Sequence, residues 1–214
     1  MEFIDENLAA YAENHTSPES EVLQSLNRET WAKVMMPRML SGHIQGRLLS
    51  MFSKMIKPKE ILEIGTYTGY SALCLAEGLA DGGVLNTIDI NEELEDIVRE
   101  YIRRSGMEEN IRFHIGNAME IIPTLNTRFD LVFIDADKEN YSNYFDLVID
   151  KMHTGAYIIA DNVLWSGKVL DEKELAHDEE TKALHAFNEK VQKDPRVENI
   201  LLPVRDGLMV IRVR

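Results

Sequence analysis

The chain has 214 residues, of which 44% are hydrophobic and 28% charged, a composition typical of one ordinary globular domain. Its 23 Lys and Arg residues against 37 Asp and Glu residues give a formal net charge of −14, which disfavours a dedicated nucleic-acid-binding protein. The single cysteine, Cys74, excludes an internal disulfide framework and a multi-cysteine zinc site. We expect a cytoplasmic protein, because the acidic start lacks the apolar segment of a signal peptide and no apolar run approaches the ~20 residues of a membrane span.

The predicted elements begin with helices and continue as alternating strands and helices. The first fifty residues are predicted to be largely helical, and apolar side chains recur at helical spacing between 44 and 56. Short strands are predicted at 60–65, 84–89, 111–116, 129–134 and 156–160, and further helices at 71–79, 92–104, 141–151 and 175–192. Two terminal strands, 199–204 and 208–213, flank the hairpin signal Arg205-Asp206-Gly207.

This alternation predicts an α/β fold. We expect a mostly parallel sheet of seven strands with helices on both faces and an antiparallel C-terminal hairpin. Sheets of this kind bind ligands beyond the carboxyl ends of their strands. The residues that follow each strand are therefore the candidates for a functional site.

The first strand leads into a turn that contains two glycines, Gly65 and Gly69. Glycine permits a tight turn and a close approach of the backbone to a ligand, but Tyr67 occupies the place of the second glycine in a dinucleotide fingerprint, which counts against NAD or FAD. Asp89 closes the second strand, at a separation from the turn close to the ~20 residues typical of an acid that accepts ribose hydroxyls. Asn91 can cap the following helix alone, which leaves Asp89 free. The pattern favours an adenosine-containing ligand over the alternative of a plain turn and a helix cap.

Acidic residues follow two neighbouring strands. The fourth predicted strand runs into Asp135-Ala136-Asp137-Lys138, and the fifth into Asp161-Asn162. Two carboxylates and an amide oxygen form the all-oxygen set that Mg²⁺ or Ca²⁺ prefers. The alternative is a set of separate turn and capping residues, since Asp and Asn are common there.

Other residue types carry weaker signals. The six histidines lack metal-ligand spacing, and the chain contains neither a serine-hydrolase elbow nor a P-loop. Cys74 is expected to be buried rather than catalytic. Five methionines are expected to lie in the core or to line a pocket: Met35, Met36, Met39, Met51 and Met55.

Three motifs, in this order and spacing, resemble those of the cation-dependent O-methyltransferases, the caffeoyl-coenzyme A and catechol O-methyltransferase group in its bacterial branch. They are Glu-Ile-Gly-Thr-Tyr-Thr-Gly-Tyr-Ser at 63–71, Asp-Ala-Asp-Lys-x-x-Tyr at 135–141 and Asp-Asn-Val-Leu-Trp-Ser-Gly at 161–167. The resemblance runs from about Met35 to the C-terminus. It implies a Rossmann-like class I methyltransferase fold, a single domain over 1–214 in which 1–43 form a helical cap over the acceptor site, and a homodimer.

The resemblance also implies roles for individual residues. The pocket of the cofactor S-adenosylmethionine would comprise Ser41, Glu63, Gly65, Thr66, Tyr67, Ser71, Asp89 at the ribose, Ala118 at the adenine, Asp135 and Asp137. The metal, Mg²⁺ or another divalent cation such as Ca²⁺ or Mn²⁺, would be held by Asp135, Asp161 and Asn162. Lys138 would be the catalytic base, supported by Asp135. Lys138, Trp165 and Ser166 would face the substrate.

The expected reaction is methyl transfer to one hydroxyl of a vicinal-diol small molecule of catechol or caffeoyl type. Such a hydroxyl has a pKa of about 10, and chelation of a cation by two neighbouring oxygens lowers it. A partly desolvated Lys138 would then take the proton.

Two alternatives remain open. A tRNA methyltransferase acting on a hydroxylated uridine is disfavoured by the negative charge and by the complete Asp-Ala-Asp-Lys motif, and favoured only by the basic residues Arg99, Arg103 and Arg104. A non-catalytic adenosine-binding protein would be indicated by loss of Lys138 or of a metal ligand, and none is lost. A membrane partner is not expected.

Overall fold

The computed structural model describes residues 5–214, so the first four residues of the acidic start and of the predicted cap lie outside the described residues. The chain is organised as two compact units, which comprise 5–118 and 119–214 of the described residues. Among residues 5–214, none of the helices combines the length and the apolar character needed to span a bilayer. The interpretation of 1–214 as one domain with a cap at 1–43 stays a prediction.

The first unit combines N-terminal helices with a parallel sheet in the strand order β3-β2-β1. Ile61 of β1 pairs with Leu85 of β2, which in turn pairs with Ile111 of β3. Its elements are α1 (Glu6–Asn14), α2 (Glu21–Lys33), α3 (Gly42–Ile56), β1 (Glu60–Ile64), α4 (Tyr70–Ala76), β2 (Val84–Asp89), α5 (Glu95–Ser105) and β3 (Ile111–Ile115).

The second unit has the strand order β4-β5-β7-β6, so the described residues contain the seven strands that were predicted. Strand β7 runs antiparallel to both of its neighbours, as the Asp-Gly turn signal predicts. Its elements are α6 (Ala118–Thr124), β4 (Phe129–Ile134), α7 (Tyr141–Ile149), β5 (Met152–Ala160), α8 (Glu172–His177), α9 (Glu179–Lys193), β6 (Val197–Leu202) and β7 (Leu208–Val213).

Most predicted boundaries lie within a few residues of the observed ones, and two elements differ in a way that is informative. Strand β5 begins at Met152, four residues before the predicted start. The sequence did not predict its first half because His153 and Thr154 are exposed and residue 155 is a glycine, so this half lacks an apolar pattern. The predicted helix at 175–192 is two helices, α8 and α9, which meet at Asp178, a residue with extended backbone.

The prediction that the five methionines lie in the core is wrong, since they are between 57% and 85% exposed, and the alternative that they line a pocket stays a prediction. Helix α2 ends at Lys33, and Met35 to Met39 follow it in a bend and a 3₁₀ turn. On α3 the buried face consists of Gln45, Gly46, Leu49, Ser50 and Ser53, which excludes Met51 and Met55. Periodicity alone did not reveal that polar residues occupy that face.

The buried face of α3 packs on α4 through polar contacts. A methyl group at Gly46 would lie 2.6 Å from the Tyr70 ring, so the two helices approach closely. Arg47 donates hydrogen bonds to both oxygens of Glu77, at 3.0 and 2.7 Å, and its guanidinium lies 3.5 Å from the sulfur of Cys74. Cys74 is buried, as predicted, and burial raises the pKa of its thiol to about 12.

Candidate active site

The glycine turn after β1 is a tight backbone loop with three left-handed residues. Gly65, Tyr67 and Gly69 have φ values of 97°, 51° and 88°. The Gly65 amide donates to the Ile88 carbonyl at 2.9 Å, and the Gly69 amide donates to the Thr66 carbonyl at 2.9 Å. A left-handed conformation is rare for a residue as bulky as tyrosine, so the turn needs external support.

Asp89 supplies that support. Its two carboxylate oxygens accept the backbone amides of Tyr67, at 2.6 Å, and of Asn91, at 2.9 Å. Asn91 caps the next helical turn by accepting from the Glu93 amide at 3.0 Å, as predicted. The expectation that Asp89 is left free is wrong, because its carboxylate holds the glycine turn. Each oxygen keeps a second acceptor position, so the ribose contact stays a prediction.

A buried chain of hydroxyl groups lies below the turn. The Thr66 hydroxyl is 2.5 Å from the Thr87 hydroxyl, which donates to Glu63 Oε2 at 2.5 Å. All three side chains are at most 1% exposed. The last residues of β1 are thus fixed to β2 by side chains as well as by the sheet.

The remaining cofactor candidates of the first unit are buried at the starts of helices. Ser41 and Ser71 are 8% and 6% exposed, at the beginnings of α3 and α4, and Ala118, where α6 begins, is 7% exposed. The Tyr67 hydroxyl donates to the Met35 carbonyl at 3.0 Å, which connects the glycine turn to the segment before Ser41. Cofactor contacts of these residues stay predictions.

In the second unit, the Lys138 amine is the centre of a polar cluster. The residue is only 7% exposed, and its Nζ donates to Tyr141 Oη at 2.7 Å, Asp135 Oδ1 at 3.0 Å and Asn162 Oδ1 at 3.1 Å. An ammonium has three protons, so these acceptors match it in number. The nearby carboxylate compensates the cost of burying the positive charge.

Tyr141, which sequence reasoning left without a role, completes the cluster. It is fully buried, and its hydroxyl donates to the Asp161 carbonyl at 3.0 Å, so its oxygen is available to accept from Lys138. Burial and the carboxylates of Asp135 and Asp161 raise the pKa of Tyr141 well above its usual value. Its spacing of one helical turn from Lys138 was the available signal.

The predicted metal ligands show a donor set that fits a hard cation. The side-chain oxygens of Asp135 and Asn162 both face the Lys138 ammonium, and Asp161, 4% exposed, accepts the Asn162 amide at 2.7 Å. Within 5–214 there is no group of three or more His, Cys, Asp or Glu side chains placed to hold a metal. A cation would therefore need the Asn162 amide oxygen as a third protein ligand, which oxygen-preferring Mg²⁺ accepts.

Asp137 is engaged in its own turn. Its oxygens accept the Tyr144 hydroxyl and the Asn140 amide group, each at 2.5 Å, and the residue is exposed. These contacts shape the entry into α7. The predicted contact of Asp137 with the cofactor stays a prediction.

The loop after β5, residues 162–167, brings Trp165 close to Lys138. The Lys138 Nζ lies 5.8 Å from the centroid of the Trp165 ring, within the range of a cation–π contact. The indole Nε1 is buried and has no hydrogen-bond partner among the described residues. Ser166, the other predicted substrate residue, is exposed. Buried donors are normally paired, so the Trp165 N–H is a candidate contact for a ligand.

Comparison with known proteins agrees with this arrangement. A family model described as O-methyltransferase matches residues 13–214. Caffeoyl-CoA O-methyltransferase from Petroselinum crispum is 35% identical over 204 residues, which are 91% of this chain and 84% of the relative.

Solved structures show the same fold. The O-methyltransferase from Bacillus cereus in complex with SAH has a TM-score of 0.90 and 28% identity, over 97% of both chains. TomG from Streptomyces achromogenes, in complex with SAM, has a TM-score of 0.88 and 27% identity, over 97% of this chain and 96% of TomG. The predicted class I methyltransferase fold and the predicted S-adenosylmethionine-dependent O-methyltransferase activity are confirmed. This chain belongs to the O-methyltransferase family.

Proposed function

We propose that the protein is a divalent-cation-dependent enzyme that transfers the methyl group of S-adenosylmethionine to one hydroxyl of a small aromatic vicinal diol of catechol or caffeoyl type. The observation that carries this proposal is the buried Lys138 amine, which contacts Asp135 and Asn162 and lies beside the Trp165 ring. The name of the Petroselinum crispum relative supports an acceptor of this class.

The acid and amide oxygens would hold the cation. Asp135, Asp161 and Asn162 are the residues that would bind it, with water and substrate completing the shell. A bound divalent cation lowers the pKa of a hydroxyl that chelates it. An acceptor whose hydroxyl is activated in this way is expected to be a vicinal diol rather than an isolated phenol, because two adjacent oxygens chelate a cation.

Lys138 would receive the hydroxyl proton at its Nζ, after its ammonium form has released one proton to the solvent. Asp135 and Asn162 would give up their contacts with the Lys138 amine if their oxygens bound a divalent cation instead. The Tyr141 contact remains, since the Tyr141 proton is used on the Asp161 carbonyl and its oxygen accepts from Lys138. The hydrogen bond to Tyr141 would fix the Lys138 amine so that its nitrogen faces the acceptor hydroxyl. Such positioning of a base contributes to the rate of the reaction.

The glycine turn would bind the cofactor. S-adenosylmethionine supplies a methyl group on a positively charged sulfur, and the transfer is a displacement at that carbon. Asp89 already fixes the turn through the Tyr67 amide and keeps acceptor positions for ribose hydroxyls. Glu63, Gly65 and Thr66 would line the same pocket.

The tRNA alternative receives little support from the arginines that favoured it. Arg99 pairs with Glu95 at 2.6 Å, and Arg103 pairs with Glu100 at 2.6 Å. Arg104 stacks over the Tyr101 ring at 4.5 Å and donates to the Ser25 hydroxyl. Two of the three charges are thus compensated by neighbouring acids, which weakens this surface as a phosphate-binding patch.

We also propose that the enzyme is a cytoplasmic homodimer. Exposed apolar side chains in the first unit support self-association, namely Trp31, Met35, Met36, Met39, Met51 and Met55. Exposed apolar groups in such number are typical of interaction surfaces. Light scattering coupled to size-exclusion chromatography measures the mass, and a monomer at micromolar concentration contradicts the proposal.

The decisive experiment is methyl transfer from labelled S-adenosylmethionine to caffeate and, in parallel, to unmodified tRNA, each with Mg²⁺ and with EDTA. We expect labelling of caffeate only with Mg²⁺. We expect Asp161→Ala to lower this turnover by about 100-fold or more, because it removes a cation ligand and no cofactor contact. Binding of S-adenosylhomocysteine to the variant should stay within about twofold of wild type.

Asp150→Ala is the matched control, since Asp150 is a highly exposed aspartate of the same unit. It should retain wild-type turnover. Unchanged turnover in EDTA contradicts the cation dependence, and labelling of tRNA alone assigns the protein to RNA modification.

A further inference from the structure

The turn between β6 and β7 is bonded to the loop that carries Trp165. The Leu164 amide donates to the Asp206 carbonyl at 2.9 Å, and the Val163 amide donates to the Gly207 carbonyl at 3.2 Å. Gly207 has a φ of 89°, and a Cβ at this position would lie 2.5 Å from Leu164 Cγ. Glycine is therefore required there, and the two segments are in close contact.

The Asp206 side chain adds a contact at the part of the loop that has left-handed backbone. Its Oδ1 accepts the backbone amide of Ser166 at 2.5 Å. Trp165, Ser166 and Gly167 have consecutive positive φ values of 47°, 53° and 82°. Left-handed backbone at two adjacent non-glycine residues persists only where surrounding groups hold it. The Asp206 carboxylate holds this run at Ser166, and the Gly167 amide closes it by donating to the Leu164 carbonyl at 2.9 Å.

The conformation of this run determines where the Trp165 ring lies. With Ser166 fixed on one side and the Trp165 amide bonded to the Asn162 carbonyl at 3.0 Å on the other, the ring is placed 5.8 Å from Lys138 Nζ. The ring is half-buried and its N–H has no partner among the described residues. A flat aromatic surface beside the amine suits a planar aromatic acceptor.

We infer that Asp206 is a specificity-determining positioning residue: by fixing the Ser166 backbone it keeps the Trp165 ring beside Lys138, as one wall for a planar aromatic acceptor. The acceptor part of this inference rests on the proposed function. Asp206 acts on the acceptor through Trp165, whereas the contact between turn and loop can be measured without any reaction.

Tryptophan fluorescence measures that contact directly. The chain has two tryptophans, so Trp31→Phe leaves Trp165 as the single reporter. In this background we expect Asp206→Ala to raise the acrylamide quenching constant about twofold, because the loop opens locally. Asp206→Asn should restore the low value, since its amide oxygen still accepts from the Ser166 amide. An unchanged quenching constant in Asp206→Ala overturns the inference.

Asp194→Ala is the matched control. Asp194 also accepts a backbone amide, that of Arg196 at 2.9 Å, in the turn that precedes β6. This variant should leave Trp165 quenching and acceptor kinetics unchanged. If it changes them as strongly as Asp206→Ala, the effect is a general loss of structure and the specific role of Asp206 is wrong.

Kinetics test the part that concerns the acceptor. We expect Asp206→Ala to raise the KM for caffeate about tenfold, with kcat and the affinity for S-adenosylhomocysteine within about twofold of wild type. An unchanged KM beside a raised quenching constant overturns the acceptor role and keeps the loop contact. If wild type does not methylate caffeate, the proposed function fails, and the quenching result still decides whether Asp206 positions Trp165.

Hydrogen exchange in the wild-type protein covers the case in which Asp206→Ala does not fold. Ser166 is exposed, so its amide should exchange rapidly unless the carboxylate holds it. We expect its exchange to be at least about tenfold slower than in an unstructured peptide. Exchange at the unprotected rate shows that the Asp206 contact does not persist in solution and overturns the inference.

Discussion

The glycine turn of the first unit and the lysine cluster of the second are held together in different ways. In the glycine turn, Asp89 binds backbone amides and Glu63 is tied to β2 through the Thr87 hydroxyl. In the lysine cluster, the oxygens of Asp135 and Asn162 are held by a single amine, that of Lys138. The first arrangement depends on backbone amides, and the second on contacts between side chains.

This difference indicates which part of the molecule is preset and which part adapts. A turn whose carboxylate is bonded to its own backbone changes little when a ligand binds. In the lysine cluster, the ammonium pairs with the half-buried carboxylate of Asp135, and each charge lowers the cost of removing the other from water. The divalent cation of the proposed function would replace the contacts that Lys138 makes with Asp135 and Asn162.

The largest expected effect comes from Lys138→Ala. We expect kcat to fall by about 100-fold or more, the usual scale for a positioned acid–base group, and the affinity for S-adenosylhomocysteine to stay within about twofold. Steady-state kinetics and titration calorimetry measure the two quantities. Lys190→Ala is the control, since Lys190 pairs with Asp146 in the same unit. A change confined to KM removes the role of Lys138 as the base.

An intermediate effect is expected from Asp89→Ala. Loss of two hydrogen bonds to an ionised group should weaken S-adenosylhomocysteine binding by about 10- to 100-fold, because the Tyr67 turn loses its support. The Mg²⁺ concentration for half-maximal rate, measured at saturating cofactor, should not change. If the Mg²⁺ concentration rises by the same factor as the S-adenosylhomocysteine dissociation constant, the glycine turn and the lysine cluster are coupled and do not act independently.

The smallest effect is one of stability and concerns Glu77, whose carboxylate accepts hydrogen bonds from Arg47 and Ser50 of α3. Burial opposes its ionisation, but hydrogen bonds from Arg47, Lys54 and Ser50 outweigh this and lower its pKa to about 2 from 4.5. The folded carboxyl binds a proton less readily than the unfolded one, so its stabilisation is complete above pH 4.5 and disappears as the pH falls to about 2.

Glu77→Gln should therefore lower the free energy of unfolding by about 2 kcal/mol at pH 7 and by much less near pH 2. Urea unfolding at both pH values measures this difference. The kcat of the variant at 25 °C should stay at the wild-type value, which limits the effect to the scaffold. A difference in stability that is equal at both pH values contradicts the assigned pKa.

The sequence predicted the sheet because each of the five parallel strands contains a short apolar run that ends at or just before Gly or Asp, and this pattern depends on local residues. Lys138 beside Asp135 was predicted for the same reason, since one turn separates them. The bond between Asp89 and the Tyr67 amide was not predicted, because it requires a left-handed tyrosine that no pattern marks. Likewise, the contact of Asp206 with Ser166 joins residues 40 apart in the chain.

The single thiol of this protein has a practical consequence. Thiolate is the form that reacts with maleimides, and Cys74 is buried with a pKa of about 12, so the native chain does not react under ordinary labelling conditions. A cysteine placed at an exposed position such as Asp150, which is 85% exposed, would be the unique attachment point for a fluorophore or spin label. The chain is thus a ready background for distance measurements on a working enzyme, with no cysteine to remove first.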